Sequence, residues 1–184
     1  MAIQTSPLII ARGVPALPAI YTEAHWYAAY TSANHEKRVA EQLGIRSVDY
    51  YLPVYSSVRS WKDRRVTLQL PLFPGYVFVR LPLCDRMCIL QIPGLARLVG
   101  FNGQPFPLED QEINGLRRAL SDGLKAVPHP YLTLGRRVRI TDGPLAGRTA
   151  ILARRKGSVR LVVSMDLIQR SILVDVDADS VEPV

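Results

Sequence analysis

The sequence predicts an α+β protein in two parts. A unit mixing strands and helices spans residues 25–121, and a small all-strand β-barrel spans 133–184. Three observations predict this. Pro74-Gly75 is a turn signal, and the following run, Tyr76-Val77-Phe78-Val79-Arg80, is rich in the β-branched and aromatic residues that favour strands. Residues 36–43 and 109–120 carry apolar residues at helical spacing. Beyond residue 132 the pattern turns to short alternating runs separated by tight turns, as in a small barrel.

The elements follow in order. Residues 25–30 (His-Trp-Tyr-Ala-Ala-Tyr) read as a strand, and Thr31 to Asn34 supply cap residues for a helix over 36–43. Val39, Ala40 and Leu43 form its apolar face, Glu36, Lys37 and Glu41 are left to solvent, and Gly44 is the expected stop. Residues 50–55 are extended, and a basic stretch at 57–65 leads through 66–70 into the strand after Pro74-Gly75. Side chains alternate along that strand. Val77, Val79 and Leu81 therefore share one face, and Tyr76, Phe78 and Arg80 the other.

Residues 84–90 read as a short helix and 95–101 as a strand ending in the strong turn Asn102-Gly103. A helix then begins near residue 108 with Glu109, Asp110 and Glu112 in its first turn, where the helix dipole favours acids. Its stripe is Ile113, Leu116, Leu120 and Leu124. Gly123, Pro128 and Pro130 mark 122–132 as a linker. Strands are expected at 136–141, 148–153, 158–164, 171–176 and 180–184.

Composition bounds the function. A chain of 184 residues holds one ordinary domain or two small ones, and 48% hydrophobic content fits a globular protein. The net charge of +7 points to an acidic partner, such as nucleic acid or an anionic protein surface, though a basic soluble protein gives the same sum. Two cysteines exclude a disulfide framework and fit a reducing, cytoplasmic location. No apolar stretch reaches the roughly 20 residues of a membrane helix, so no membrane partner is expected. Residues 1–24, interrupted by Pro7, Pro15 and Pro18, read as a flexible leader.

Three blocks carry a family resemblance: Trp26-Tyr27, the run Leu72-Phe73-Pro74-Gly75-Tyr76-Val77-Phe78-Val79, and Val138-Arg139-Ile140-Thr141-Asp142-Gly143-Pro144-Leu145-Ala146-Gly147. Together they resemble the NusG family of transcription elongation factors, and the last looks like a KOW motif. The resemblance covers residues 25–184. It implies an NGN-type domain with an antiparallel sheet flanked by helices, a flexible linker, and an SH3-like KOW barrel. It also implies a monomeric, non-enzymatic factor without cofactors. Such a factor binds the clamp helices of the largest RNA polymerase subunit and suppresses pausing, while its barrel recruits Rho or a protein of the small ribosomal subunit.

Carried onto this chain, the polymerase-binding patch comprises Tyr30, Tyr76, Phe78, Leu98 and Val99, and it is expected to be exposed. The alternative makes Tyr76 and Phe78 core residues beneath the 113–120 helix. Contact with the opposite subunit falls at Asp85, Arg86, Met87 and Cys88, where the His-Thr-Thr cluster of some specialised members is absent. The barrel's partner-binding tip is Leu167, Ile168, Gln169 and Arg170. General factors usually carry Phe and Gly where this chain has Ile168 and Gln169, so the tip resembles that of specialised paralogs acting on selected operons. The competing expectations are a general NusG and a ribosome-associated KOW protein that binds RNA.

Arg59, Lys62, Arg64 and Arg65, with Trp61 among them, are expected on a hairpin loop near non-template DNA. Cations there would contact phosphates and the indole would stack on a base. A solvated loop is the alternative. A second basic run holds Arg148, Arg154, Arg155, Lys156 and Arg160. Cys84 and Cys88 share a helix face, but no Cys or His near them completes a metal site, and no catalytic motif is present.

Overall fold

The structure is a computed structural model that describes residues 18–61, 64–129, 135–156 and 158–184. A helical turn, α1 (Ala19–Thr22), precedes β1 (His25–Thr31), α2 (Glu36–Ile45) and β2 (Asp49–Tyr51). The long hairpin β3 (Val54–Trp61) and β4 (Arg64–Pro71) leads into β5 (Tyr76–Leu81). A 3₁₀ turn at Leu83–Asp85 runs into α3 (Arg86–Leu90), followed by β6 (Leu95–Leu98), β7 (Gly100–Phe101), β8 (Gln104–Pro105) and α4 (Asp110–Ser121). The rest is strand: β9 (Ala126–His129), β10 (Arg137–Ile140), β11 (Thr149–Lys156), β12 (Ser158–Met165), β13 (Arg170–Val176) and β14 (Val181–Pro183).

The amino-terminal sheet has the order β2-β5-β1-β6 and is antiparallel throughout. Val77, Val79 and Leu81 face a core shared with Val39 and Leu43 of α2 and Ile89 of α3. Phe78 faces a second core with Ile113, Leu116 and Ala119 of α4. The helices therefore lie on both sides of the sheet. At the turn feeding β5, Pro74 precedes Gly75 at φ 85°, and the Tyr76 amide donates to the Phe73 carbonyl at 3.1 Å. A type II turn needs that positive φ. Asn102 and Gly103 at φ 49° and 77° give the expected tight turn between β7 and β8.

The carboxy-terminal sheet has six strands in the order β14-β10-β11-β12-β13-β9. Its strands match the five expected from the sequence and form the KOW-like barrel. The sixth corrects the expectation of a free linker. Residues Ala126–His129 pair with β13, setting Pro128 opposite Ile172 and Val127 opposite Leu173. Two prolines suggested a loop, but four residues of edge strand tolerate a proline because the edge leaves donors unpaired anyway.

Three further expectations change. Glu36 is buried, because its Oε1 accepts the Gly75 amide at 2.7 Å and so ties α2 to the turn before β5. Gly44 does not end α2, which runs on to Ile45; the Tyr50 ring packs over Gly44, where a Cβ would lie 3.4 Å from it. Within the expected leader, Ile20 and Tyr21 of α1 pack on the α2–α3 core. Residues 1–17 lie outside the described residues.

Candidate docking face and the barrel that covers it

Direct antiparallel partners share a sheet face. Register sets Trp26 opposite Arg80, Ala28 opposite Phe78 and Tyr30 opposite Tyr76. Tyr51 of β2 pairs with Phe78, and Arg97 of β6 with Tyr30. One side of the sheet is thus lined by Trp26, Tyr30, Tyr51, Tyr76 and Phe78. The Tyr30 and Tyr76 rings lie 5.4 Å apart, and Phe78 is flanked by Tyr51 at 6.4 Å and Phe73 at 5.7 Å. The Arg97 guanidinium sits 5.0 Å over Tyr30. Arg117 of α4 sits over both Trp26 and Tyr51, at 5.3 and 4.9 Å. Burial pushes the Tyr51 phenol up to about 12, and the nearby Arg117 charge opposes that shift.

This face is not open. Its core runs without a break into the barrel, through Leu145, Val163, Met165, Ile168 and Ile172. Phe78 is fully buried, which corrects the expectation of an exposed patch: the alternative, core aromatics beneath α4, holds for Phe78. Tyr30, Tyr76 and Val99 are half-buried. Leu98 is buried on the opposite side, with α2 and α3, because it pairs with Ala29 rather than with Tyr30. A patch containing both Leu98 and Val99 ignores strand alternation.

Named contacts hold the barrel down. Arg148 of the barrel donates to Glu112 Oε1 of α4 at 2.6 Å, with side chains 26% and 20% exposed. Burial lowers the Arg148 guanidinium below its ordinary value, while Glu109 and Asp166 work the other way. The Arg170 guanidinium lies 5.7 Å from the Tyr76 ring centre. Gly115 of α4 meets the turn after β10 so closely that a Cβ would stand 3.0 Å from the Pro144 carbonyl oxygen. A void of about 20 Å³ lies among Phe73, Leu116, Leu145, Val163, Met165 and Ile172, drawn from both units. A cleft of about 560 Å³ opens beside the contact, between Phe106 to Glu112 and Pro144 to Thr149. Glu112, Arg148 and Arg170 were expected in other roles, and Gly115 was not singled out, although a glycine inside a helical pattern is a signal of close packing.

A family model described as transcription termination factor NusG matches residues 24–117, just over half of the chain. The chain belongs to the NusG family. The transcription termination/antitermination protein NusG of Campylobacter jejuni is 30% identical over 175 residues, covering 86% of this chain and 97% of that protein. The protein of that name from Lactococcus lactis is 25% identical, covering 86% and 92%. A solved structure of Thermotoga maritima NusG, described by its domain interaction, superposes with a TM-score of 0.56 at 21% identity, covering 89% of this chain and 99% of that one. The chain is therefore a NusG-type transcription termination/antitermination factor, in a family of transcription factors rather than enzymes.

The remaining NusG-derived positions are distributed as follows. Asp85, Met87 and Cys88 are exposed on the segment that includes α3, and Arg86 is half-buried. Arg59, Arg64 and Arg65 are exposed near the end of the β3–β4 hairpin, on its strands rather than in a loop, and Trp61 pairs with Arg64 in register. Lys62 lies outside the described residues. Of the second basic run, Arg148 turns into the interface and Arg160 pairs with Asp175 at 2.8 Å. At the barrel tip Gln169 and Arg170 are exposed, Leu167 is half-buried, and Ile168 is 3% exposed. Ile168 is therefore core, not a projecting anchor. Gln169 adopts φ 49° and ψ 48°, the left-handed region that glycine enters without strain. Among the described residues no helix is long and apolar enough to cross a membrane.

Proposed function

We propose that this chain binds RNA polymerase through the aromatic face of its amino-terminal sheet, suppresses pausing, and promotes processive transcription of selected operons. The observation that carries the reading is the half-buried set Tyr30, Tyr76 and Val99, with the exposed Arg97 over Tyr30 and the barrel's Arg170 over Tyr76, while Phe78 beside them is core. Rigid tyrosines lose little entropy on docking and suit an apolar helix ridge, such as a pair of clamp helices. In this reading the barrel lifts before polymerase docks. The exposed Asp85, Met87 and Cys88 then reach toward the opposite subunit, and Arg59, Arg64 and Arg65 toward non-template DNA.

The altered tip favours a specialised factor over a general one. Ile168 and Gln169 stand where general factors carry Phe and Gly, and Ile168 is withdrawn into the core. Recruitment of Rho or of a small-subunit ribosomal protein would then use Leu167, Gln169 and Arg170 after opening. The general reading draws on the termination/antitermination names of the Campylobacter and Lactococcus relatives. A ribosome-associated KOW protein leaves the amino-terminal unit without a role.

Purified protein added to elongating polymerase tests the proposal. Shortened pauses are expected, with Arg148→Glu acting at lower concentration than the parent because it sets two like charges at Glu112. Unchanged pausing at saturating protein for both sinks the reading. Enhanced Rho-dependent termination on an unselected template favours the general factor.

A further inference from the structure

The chain contains two cysteines and three methionines, and three of these five sulfurs fall at Cys84, Met87 and Cys88. The 3₁₀ turn Leu83–Asp85 runs directly into α3, Arg86–Leu90, so these residues stand at i, i+3 and i+4 of one short helical stretch. Burial confirms the shared face. Leu83 and Ile89 are buried, while Cys84 and Cys88 are exposed free thiols and Met87 is 56% exposed. The chain's other described methionine, Met165, is buried core, the usual place for this side chain. Met87 is more than half exposed between two exposed thiols, so its side chain is free to reach outward.

We infer that Cys84, Met87 and Cys88 form a three-sulfur site for a soft monovalent cation, copper(I). Residues three and four apart on a helix have Cβ atoms about 5–6 Å apart, close enough for both to reach one ion. The same i, i+4 spacing serves paired metal-binding histidines. Met has three rotatable bonds with which to bring its thioether to the third position. Thiolate and thioether donors select copper(I), whereas zinc wants four ligands of the N, O and S type. Among the described residues no group of three His, Cys, Asp or Glu side chains is placed to hold a metal, so without the Met87 thioether the two thiols would lack a third donor. The Asp85 carboxylate, which accepts from Cys84 Sγ at 3.6 Å, adds negative charge beside the site. Binding exchanges two thiol protons for the ion and transfers no electron. The site shares Met87 and Cys88 with the proposed contact to the opposite subunit, but its test uses the chain without polymerase, so either reading can fail alone.

The full chain, reduced and kept anaerobic, is titrated with copper(I) in competition with a chromogenic copper(I) chelator, and each protein is checked by circular dichroism. One ion per chain is expected, with an all-sulfur first shell by X-ray absorption. Met87→Leu should weaken binding at least tenfold while keeping both thiols, and Cys84→Ser or Cys88→Ser should weaken it further. Equal affinity for parent and Met87→Leu overturns the three-sulfur site. So does an ion shared between two chains, a zinc(II) affinity above that for copper(I), or no stoichiometric binding.

Discussion

Gly115 lies where the backbone of α4 meets the Pro144 turn of the barrel, so it offers a substitution whose consequence follows from the geometry. A Cβ built there stands 3.0 Å from the Pro144 carbonyl oxygen and 4.0 Å from Leu145 Cδ2. Gly115→Ala gains about 1 kcal/mol of helix propensity and asks the Pro144 turn to give by a few tenths of an ångström. It should raise the melting temperature of the amino-terminal unit and leave the barrel docked. Gly115→Leu sets further carbons against the Pro144 backbone. Overpacking of this kind costs about 1–3 kcal/mol, which shifts the closed-to-open ratio by about 5- to 150-fold. NMR relaxation reads the result: in the parent both units tumble as one body, and in Gly115→Leu the barrel amides acquire the shorter correlation time of a small domain. Far-ultraviolet circular dichroism should stay unchanged, because α4 itself tolerates leucine. A Gly115→Leu protein that tumbles as one body, with Tyr76 and Arg170 resonances unmoved, would refute the claim that this contact controls docking.

Other consequences are sharper at single side chains. Phe78→Ala should cost about 3–5 kcal/mol by chemical denaturation, because the ring is fully buried, whereas half-buried Tyr76→Ala should cost far less and lower polymerase affinity in the folded protein; equal losses of stability would contradict the division between core and docking residues. The Tyr27 hydroxyl is buried with no hydrogen-bond partner among the described residues, and burial pushes its phenol up. Tyr27→Phe should therefore be neutral or stabilising by about 1 kcal/mol, and a clear loss in melting temperature would reveal a partner for the hydroxyl. Gln169→Gly removes left-handed strain of about 1–2 kcal/mol but loosens the unfolded chain by about 0.4–1 kcal/mol, so a small net rise in stability is expected in thermal melts.

Local chemistry made much of the fold legible. Pro74-Gly75 and Asn102-Gly103 demand positive φ, and period-two alternation in residues 76–81 assigned both sheet faces correctly. Every barrel strand expected after residue 135 formed, because each is bounded by turn residues. What sequence could not supply was the partner of each face. Period alone says that Phe78 is opposite Val77, not whether a helix, a barrel or solvent covers it. The same limit explains Glu36, whose acidic side chain reads as solvent-facing until the Gly75 amide, 39 positions away, is brought to it. Leu98 was a different kind of miss, since alternation against Val99 was visible in the sequence. The ion pair between Glu112 and Arg148 joins residues 36 apart, and no local pattern announces it.

The composition of the cover bears on whether it can come off. A contiguous apolar face left in water invites association, so a barrel lying over it is favourable in a free monomer. A cover made only of buried hydrophobics would behave as one domain core and resist release. Here the margin of the contact is polar and reachable by water. The Glu112 and Arg148 side chains are 20% and 26% exposed, and Arg170 stacks on Tyr76 from an exposed position. Breaking a fully buried pair strands a charge, but separating this one lets both groups regain water, which lowers the penalty for opening. Phe78 does not depend on the barrel alone, because Phe73 and Tyr51 of its own unit flank the ring. The face thus divides into a permanent floor at Phe78 and a rim at Tyr30, Tyr76 and Val99. In the proposed function, that rim is what opening hands to the polymerase.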